Sequence, residues 1–107
     1  MLYNDVANYI HKNSPEVTVT DLSQKFHISA DHMNRVFKKE FGYTLNQYIT
    51  LMKICNFERL IGSGECLKNA CIMAGFGNYS NFIRTYKKYR GHTPGQYVKN
   101  QIDSKII

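Results

Sequence analysis

The chain has little of what staples small proteins together. Its three cysteines, Cys55, Cys66 and Cys71, are an odd number with no Cys-x-x-Cys pair, which argues against a disulfide framework and against a zinc cage. Their apolar neighbours suggest small buried or half-buried hydrophobes. The four histidines (His11, His27, His32, His92) never take the His-x-x-x-His spacing that puts two imidazoles on one helical turn. They read as solvated side chains, and no metal or other cofactor is expected. Proline is confined to Pro15 and Pro94, both where helices should begin or end. No apolar run approaches the roughly 18 residues of a membrane span, and the N-terminus lacks the basic-then-apolar pattern of a signal peptide. A cytoplasmic protein with no membrane partner is expected. No nucleophile has a base at motif spacing, no phosphate-binding glycine loop opens a helix and no paired carboxylates stand out, so an enzyme is not expected. Acidic residues are the last shortage. Eight Asp and Glu stand against fourteen Lys and Arg, a net charge of +6, which favours a polyanionic partner.

What the chain does have is a repeat. The block Arg35-Val-Phe-Lys-Lys-Glu-Phe-Gly-Tyr-Thr44 returns as Arg84-Thr-Tyr-Lys-Lys-Tyr-Arg-Gly-His-Thr93, 49 residues later. Each copy reads as the basic second half of a helix, stopped by glycine and followed by the threonine cap of the next helix. Seven of the fourteen basic residues (Arg35, Lys38, Lys39, Arg84, Lys87, Lys88, Arg90) lie in the two copies, so the charge is focused on helices. At 107 residues and 43% hydrophobic, one compact domain over 1–107 is expected, with a core that needs no metal or disulfide.

Helical periodicity runs almost throughout, with no convincing strand. Leu2, Val6 and Ile10 give a first helix to about Lys12, broken at Asn13-Ser-Pro15. Thr18 opens a Thr-x-x-Asp cap for a short helix over about 19–26, and the chain turns at His27-Ile28. Ser29 caps a third helix with Met33, Val36, Phe37 and Glu40 inward and Asp31, Asn34, Arg35 and Lys38 outward. Gly42 ends it. Thr44-Leu-Asn-Gln47 is a capping box for a long helix over about 45–61, apolar enough to touch both halves of the protein. After Gly62-Ser-Gly64, a fifth helix covers about 66–74 and Gly75-Phe-Gly77 turns the chain. Asn78 caps a sixth helix with Phe82, Thr85, Tyr86 and Tyr89 inward and Ser80, Asn81, Arg84 and Lys88 outward. Gly91 stops it, and Thr93-Pro-Gly-Gln96 caps a last one, with proline at its first position. The fold class is therefore all-α: seven helices, two helix-turn-helix subdomains (about 3–43 and 62–101), a linker helix (about 44–61) and a frayed tail (102–107). In such a unit the second helix enters the major groove, about 12 Å wide. A linker of about 25 Å would hold two of them near the roughly 34 Å between successive grooves.

At these residues the chain resembles a known family. Ser29 to Thr44 is similar to the first helix-turn-helix of the AraC family of bacterial transcription regulators. Leu67-Lys-Asn-Ala-Cys-Ile-Met-Ala-Gly-Phe76, Phe82-Ile-Arg84, Lys87-Lys88, Gly91-His-Thr-Pro94 and Tyr97 are similar to its second. The resemblance covers about 6–98 and implies sequence-specific binding to double-stranded DNA. It also implies control of transcription, with a sensory, dimerisation or receiver domain in a longer protein of which this would be the output part. By position it puts base reading on Asp31, Asn34 and Arg35 in the first recognition helix and on Tyr79, Ser80, Asn81 and Arg84 in the second. Arg35 and Arg84 are also what the chemistry selects, because a guanidinium fork donates two hydrogen bonds to guanine O6 and N7. Lys38, Lys39, Lys53, Lys87, Lys88 and Arg90 are candidate phosphate contacts. The chain departs from the family pattern at Phe57, where a small residue is usual, and at Cys66, which takes the place of a serine cap. Two other classes remain open: a helical protein-interaction module, for instance one that contacts RNA polymerase, and an RNA-binding helical domain.

Overall fold

Most of the helices begin or end where a side chain takes up a loose backbone group. The computed structural model describes residues 2–13 and 17–106, with the side chains of 4–13 and 17–102. Over these the chain is all helix, with no strand: α1 Leu2–Asn13, α2 Val19–Phe26, α3 Ala30–Phe41, α4 Leu45–Gly62, α5 Leu67–Met73, α6 Tyr79–Arg90 and α7 Pro94–Ile106. The break expected at Ser14-Pro15 lies outside the described residues, as does the side chain of Leu2. At α2, Thr18 Oγ1 accepts from Asp21 N while Asp21 Oδ2 accepts from Thr18 N, both at 3.1 Å. Thr44 with Gln47 and Thr93 with Gln96 repeat that reciprocal pattern at α4 and α7. Such boxes satisfy two of the backbone donors a helix start leaves open. Gly42 and Gly91, in the left-handed conformation at φ 82° and 80°, end α3 and α6.

Two compact units share the chain, Met1–Lys53 and Ile54–Ile107. The division falls inside α4. Leu45 and Ile49 from its first half join Val6, Ile10, Val17, Leu22, Met33 and Phe37 in one core. Ile54, Phe57, Leu60 and Ile61 from its second half join Ala70, Cys71, Ala74, Phe82 and Tyr86 in the other. This is why the helix is more apolar than a surface helix requires. α7 runs from Pro94 to Ile106.

In the second unit, α6 is tied to α4 by polar groups as well as by rings. Glu58 Oε2 accepts from Tyr86 Oη at 2.7 Å and from Arg90 Nε at 3.0 Å, and Glu58 Oε1 accepts from Arg90 Nη2 at 2.8 Å. Burial first, then the Glu58 carboxylate, pushes the Tyr86 hydroxyl above its ordinary range, and burial pushes Tyr97 in the same direction. Each therefore keeps its proton to higher pH when folded than when unfolded. Above about pH 10, the usual tyrosine value, the folded state binds more protons, and stability falls as pH rises further. Thermal unfolding followed from pH 7 to 11.5 is expected to show a loss of about 1.4 kcal/mol per pH unit for each tyrosine still protonated. Tyr86→Phe should remove the larger part of that slope. Parallel alkaline slopes for the two proteins would refute the assignment to Tyr86.

Candidate nucleic-acid interface

The first polar-faced helix, α3, is fixed from below and free above. Met33 and Phe37 are fully buried, while Asp31, His32, Arg35, Lys38 and Lys39 are exposed. Spacings of three and four set Asp31, Arg35, Lys38 and Lys39 along one side of the helix. Ser29 starts it, its Oγ accepting from His32 N at 3.3 Å. Asp31 sits in the first turn, where the helix dipole favours a carboxylate. Glu40, expected to face inward, is exposed, because the buried side ends with the Phe37–Phe41 stack.

Asn34 does not sit with the exposed group. It is half-buried, and its Oδ1 accepts from Leu45 N at 2.9 Å. The Thr44–Gln47 box leaves the N–H of Leu45, the first residue of α4, without a partner from within the box. Asn34 supplies one, so its amide oxygen braces α3 against α4 where the sequence suggested base reading. Sequence reasoning passed over His32, whose Nδ1 lies 3.5 Å from Arg35 Nη2. Its only sequence signal is the three-residue spacing to Arg35.

The second polar-faced helix, α6, follows the same plan. Asn78 Oδ1 accepts from Asn81 N at 2.9 Å. Phe82 and Tyr86 are buried, whereas Tyr79, Ser80, Asn81, Arg84, Lys87 and Lys88 are exposed. Tyr79 is 46% exposed and its ring also lies 6.3 Å from that of Phe82, so it packs and faces solvent at once. Arg90 is withdrawn from the expected phosphate contacts by its fork on Glu58, with Nη2 also 3.7 Å from Cys55 Sγ. Hydrogen bonding to Glu58 raises its pKa further. Lys53 is half-buried on α4, away from both polar-faced helices in sequence.

The turns that lead into α3 and α6 are built alike. Ile28 N donates to Ser23 O at 3.3 Å and Ser23 Oγ donates to Ile28 O at 2.6 Å. In the second unit Phe76 N donates to Cys71 O at 3.1 Å, and Cys71 Sγ lies 3.9 Å from Phe76 O. The left-handed step is taken by His27 at φ 57° in one and by Gly75 at φ 97° in the other. From there the second turn is one residue longer: Ile28 is followed directly by the cap Ser29, whereas Gly77 separates Phe76 from the cap Asn78. Of the cysteines only Cys71 is buried; Cys55 and Cys66 are exposed, against expectation. Cys66 precedes α5 without making a side-chain cap, since a thiol is a poor acceptor in the role serine would fill.

A family described as helix-turn-helix domain matches residues 22–100, well over half of the chain. The chain belongs to the helix-turn-helix domain family. It is 34% identical over 94 residues to the bifunctional transcriptional activator/DNA repair enzyme AdaA of Bacillus subtilis, covering 86% of this chain and 44% of that protein. It is 30% identical over 98 residues to the melibiose operon regulatory protein of Escherichia coli, covering 90% of this chain and 32% of that one. The structure of a protein of unknown function from Listeria innocua superposes with a TM-score of 0.80 at 26% identity, covering 92% of this chain and 96% of that one. The chain thus spans less than half the length of these curated relatives. These matches correct the narrower assignment to the AraC family: they give a helix-turn-helix domain related to regulators of several kinds, and no more specific family. The Gly-Phe, Lys-Lys and Gly-x-Thr-Pro steps mark a turn, a basic helix end and a cap, which any such domain can use. Membership supports a general DNA-binding regulatory role. The stretch shared with AdaA is its non-catalytic helix-turn-helix part. Among the described residues no group of three or more His, Cys, Asp or Glu could hold a metal ion, and no helix is long and apolar enough to cross a membrane.

Proposed function

We propose that this domain binds double-stranded DNA sequence-specifically, as the output part of a longer transcription regulator that carries a sensory, dimerisation or receiver module. In this reading α3 and α6 enter successive major grooves, about one helical turn apart. Arg35 and Arg84 read guanine. Asp31, Ser80, Asn81 and Tyr79 make the remaining base contacts, and Lys38, Lys39, Lys87 and Lys88 hold phosphates, with Lys53 a more distant candidate. One observation carries the reading: in each unit one helix, held by two buried side chains (Met33 and Phe37, or Phe82 and Tyr86), exposes an arginine followed by a lysine pair.

Titration of a duplex against salt tests it. Neutralising about four or five phosphates gives a slope of log K against log salt near −4. Excess bulk RNA should compete poorly with the duplex. A slope near zero would favour a protein-interaction module, and equal competition by RNA would favour an RNA-binding domain.

A further inference from the structure

Residues 66–83 carry one charge, Lys68, and no acid. Ile72, Met73 and Tyr79 there are 61%, 51% and 46% exposed, apolar surface that phosphate binding does not use. Leu67, Lys68, Cys71, Ile72, Phe76 and Tyr79 line a cleft of about 540 Å³, well inside the range of small-molecule sites. The cleft borders the longer of the two turns. Gly77, the extra residue of that turn, also lines it, and a Cβ placed there meets nothing within 4 Å.

We propose that this cleft binds a small amphipathic monoanion, an acyl or aryl body with a single carboxylate, and that the bound ligand weakens DNA binding through Tyr79. The apolar walls match the hydrocarbon body, which gains by leaving water. Lys68 pairs with the carboxylate, and no acidic residue is among the lining to hold a cation, Glu65 standing next in sequence to the lining residue Cys66. A protein partner fits poorly, since a stable interface takes about 20–30 residues a side and the lining is far smaller. Tyr79 is both a wall of the cleft and the first residue of α6, so a ring held against the ligand is withdrawn from the DNA. The effect on DNA rests on the proposed function above; the binding site does not.

Decanoate, titrated below its micelle concentration into the whole chain and followed by amide 1H–15N shifts, tests the site. The expected result is saturable one-to-one binding with shifts centred on Leu67, Phe76 and Tyr79. Decanol, and decanoate with Lys68→Gln, should bind about threefold more weakly, the scale of an exposed ion pair. Gly77→Leu should weaken decanoate at least tenfold by filling the cleft, and Gly77 is outside the left-handed region, so the variant folds without backbone strain. Saturating decanoate should weaken binding to a duplex at least fivefold in the native protein and leave Gly77→Leu unaffected. Shifts that never saturate or that spread over both units, equal binding of decanol, or full binding by Gly77→Leu would overturn the site. So would self-association abolished by Ile72→Glu in a chain that ignores decanoate, because a second copy would then cover this face. A chain that binds decanoate but no duplex refutes the DNA reading alone, and one that binds duplex but not decanoate refutes the cleft alone.

Discussion

Phe57→Ala is expected to lower the unfolding free energy of the second unit by about 3–5 kcal/mol, the usual loss for a fully buried phenyl ring. The ring is 0% exposed, with its centroid 4.8 Å from that of Phe82, 5.5 Å from Tyr86 and 6.4 Å from Tyr97. Phe82 and Tyr86 are the buried side of α6, so the cavity opens directly beneath the helix proposed to read DNA. Against a total stability of about 5–15 kcal/mol for a typical domain, the loss should raise the open population of that unit by about two to four orders of magnitude. Amide hydrogen exchange reads it locally: protection at Ala70 and Tyr86 should collapse, while that at Met33 in the first unit should fall much less. Phe57→Leu, which keeps most of the volume, should cost less than about 1.5 kcal/mol. Unchanged protection in Phe57→Ala would show that the ring is dispensable to its core.

The family pattern marked Phe57 as a departure, and the structure shows how the departure is housed. The aromatic side chain at that position packs near three other rings, those of Phe82, Tyr86 and Tyr97, in a core that also holds Ala70, Cys71 and Ala74. What the sequence made legible was local. Thr18 with Asp21, Thr44 with Gln47 and Thr93 with Gln96 announce helix starts because each box spans three residues, and Gly42 and Gly91 announce ends for the same reason. The inner faces of α3 and α6 followed from Met33, Phe37, Phe82 and Tyr86 at helical spacing. What stayed hidden depends on partners far along the chain. The acceptor role of Asn34 needs Leu45, 11 residues away, and the fork of Arg90 needs Glu58, 32 residues away. Periodicity shows which side of a helix is polar, but not whether a polar group is already occupied. For the same reason the exposure of Cys55 and Cys66 was missed, as apolar neighbours in sequence need not be neighbours in space.

Arg35→Ala and Arg84→Ala are each expected to erase about 1–3 kcal/mol of discrimination at one base pair, roughly a fivefold to 150-fold change, and to leave the other half of the site intact. The two side chains lie on different units, so their effects should add in the double variant. Lys39→Ala should instead weaken every duplex alike and make the salt slope shallower by about 0.9. Asn34→Ala is the control. Because its oxygen is held by Leu45 N, it should cost about 1 kcal/mol of stability and leave base preference unchanged. Competition binding with a panel of single-base-pair duplex variants measures all four. Equal loss of affinity for every duplex in Arg35→Ala would reassign that guanidinium to phosphate.

Selection of bound sequences from a pool of random duplexes tests most directly whether two helices of one chain read DNA. The expected result is enrichment of a two-part site, its halves about one helical turn apart, with one half losing its preferred guanine in Arg35→Ala and the other in Arg84→Ala. A pool that emerges without enrichment, or with a single short element insensitive to one of the two arginines, would contradict it.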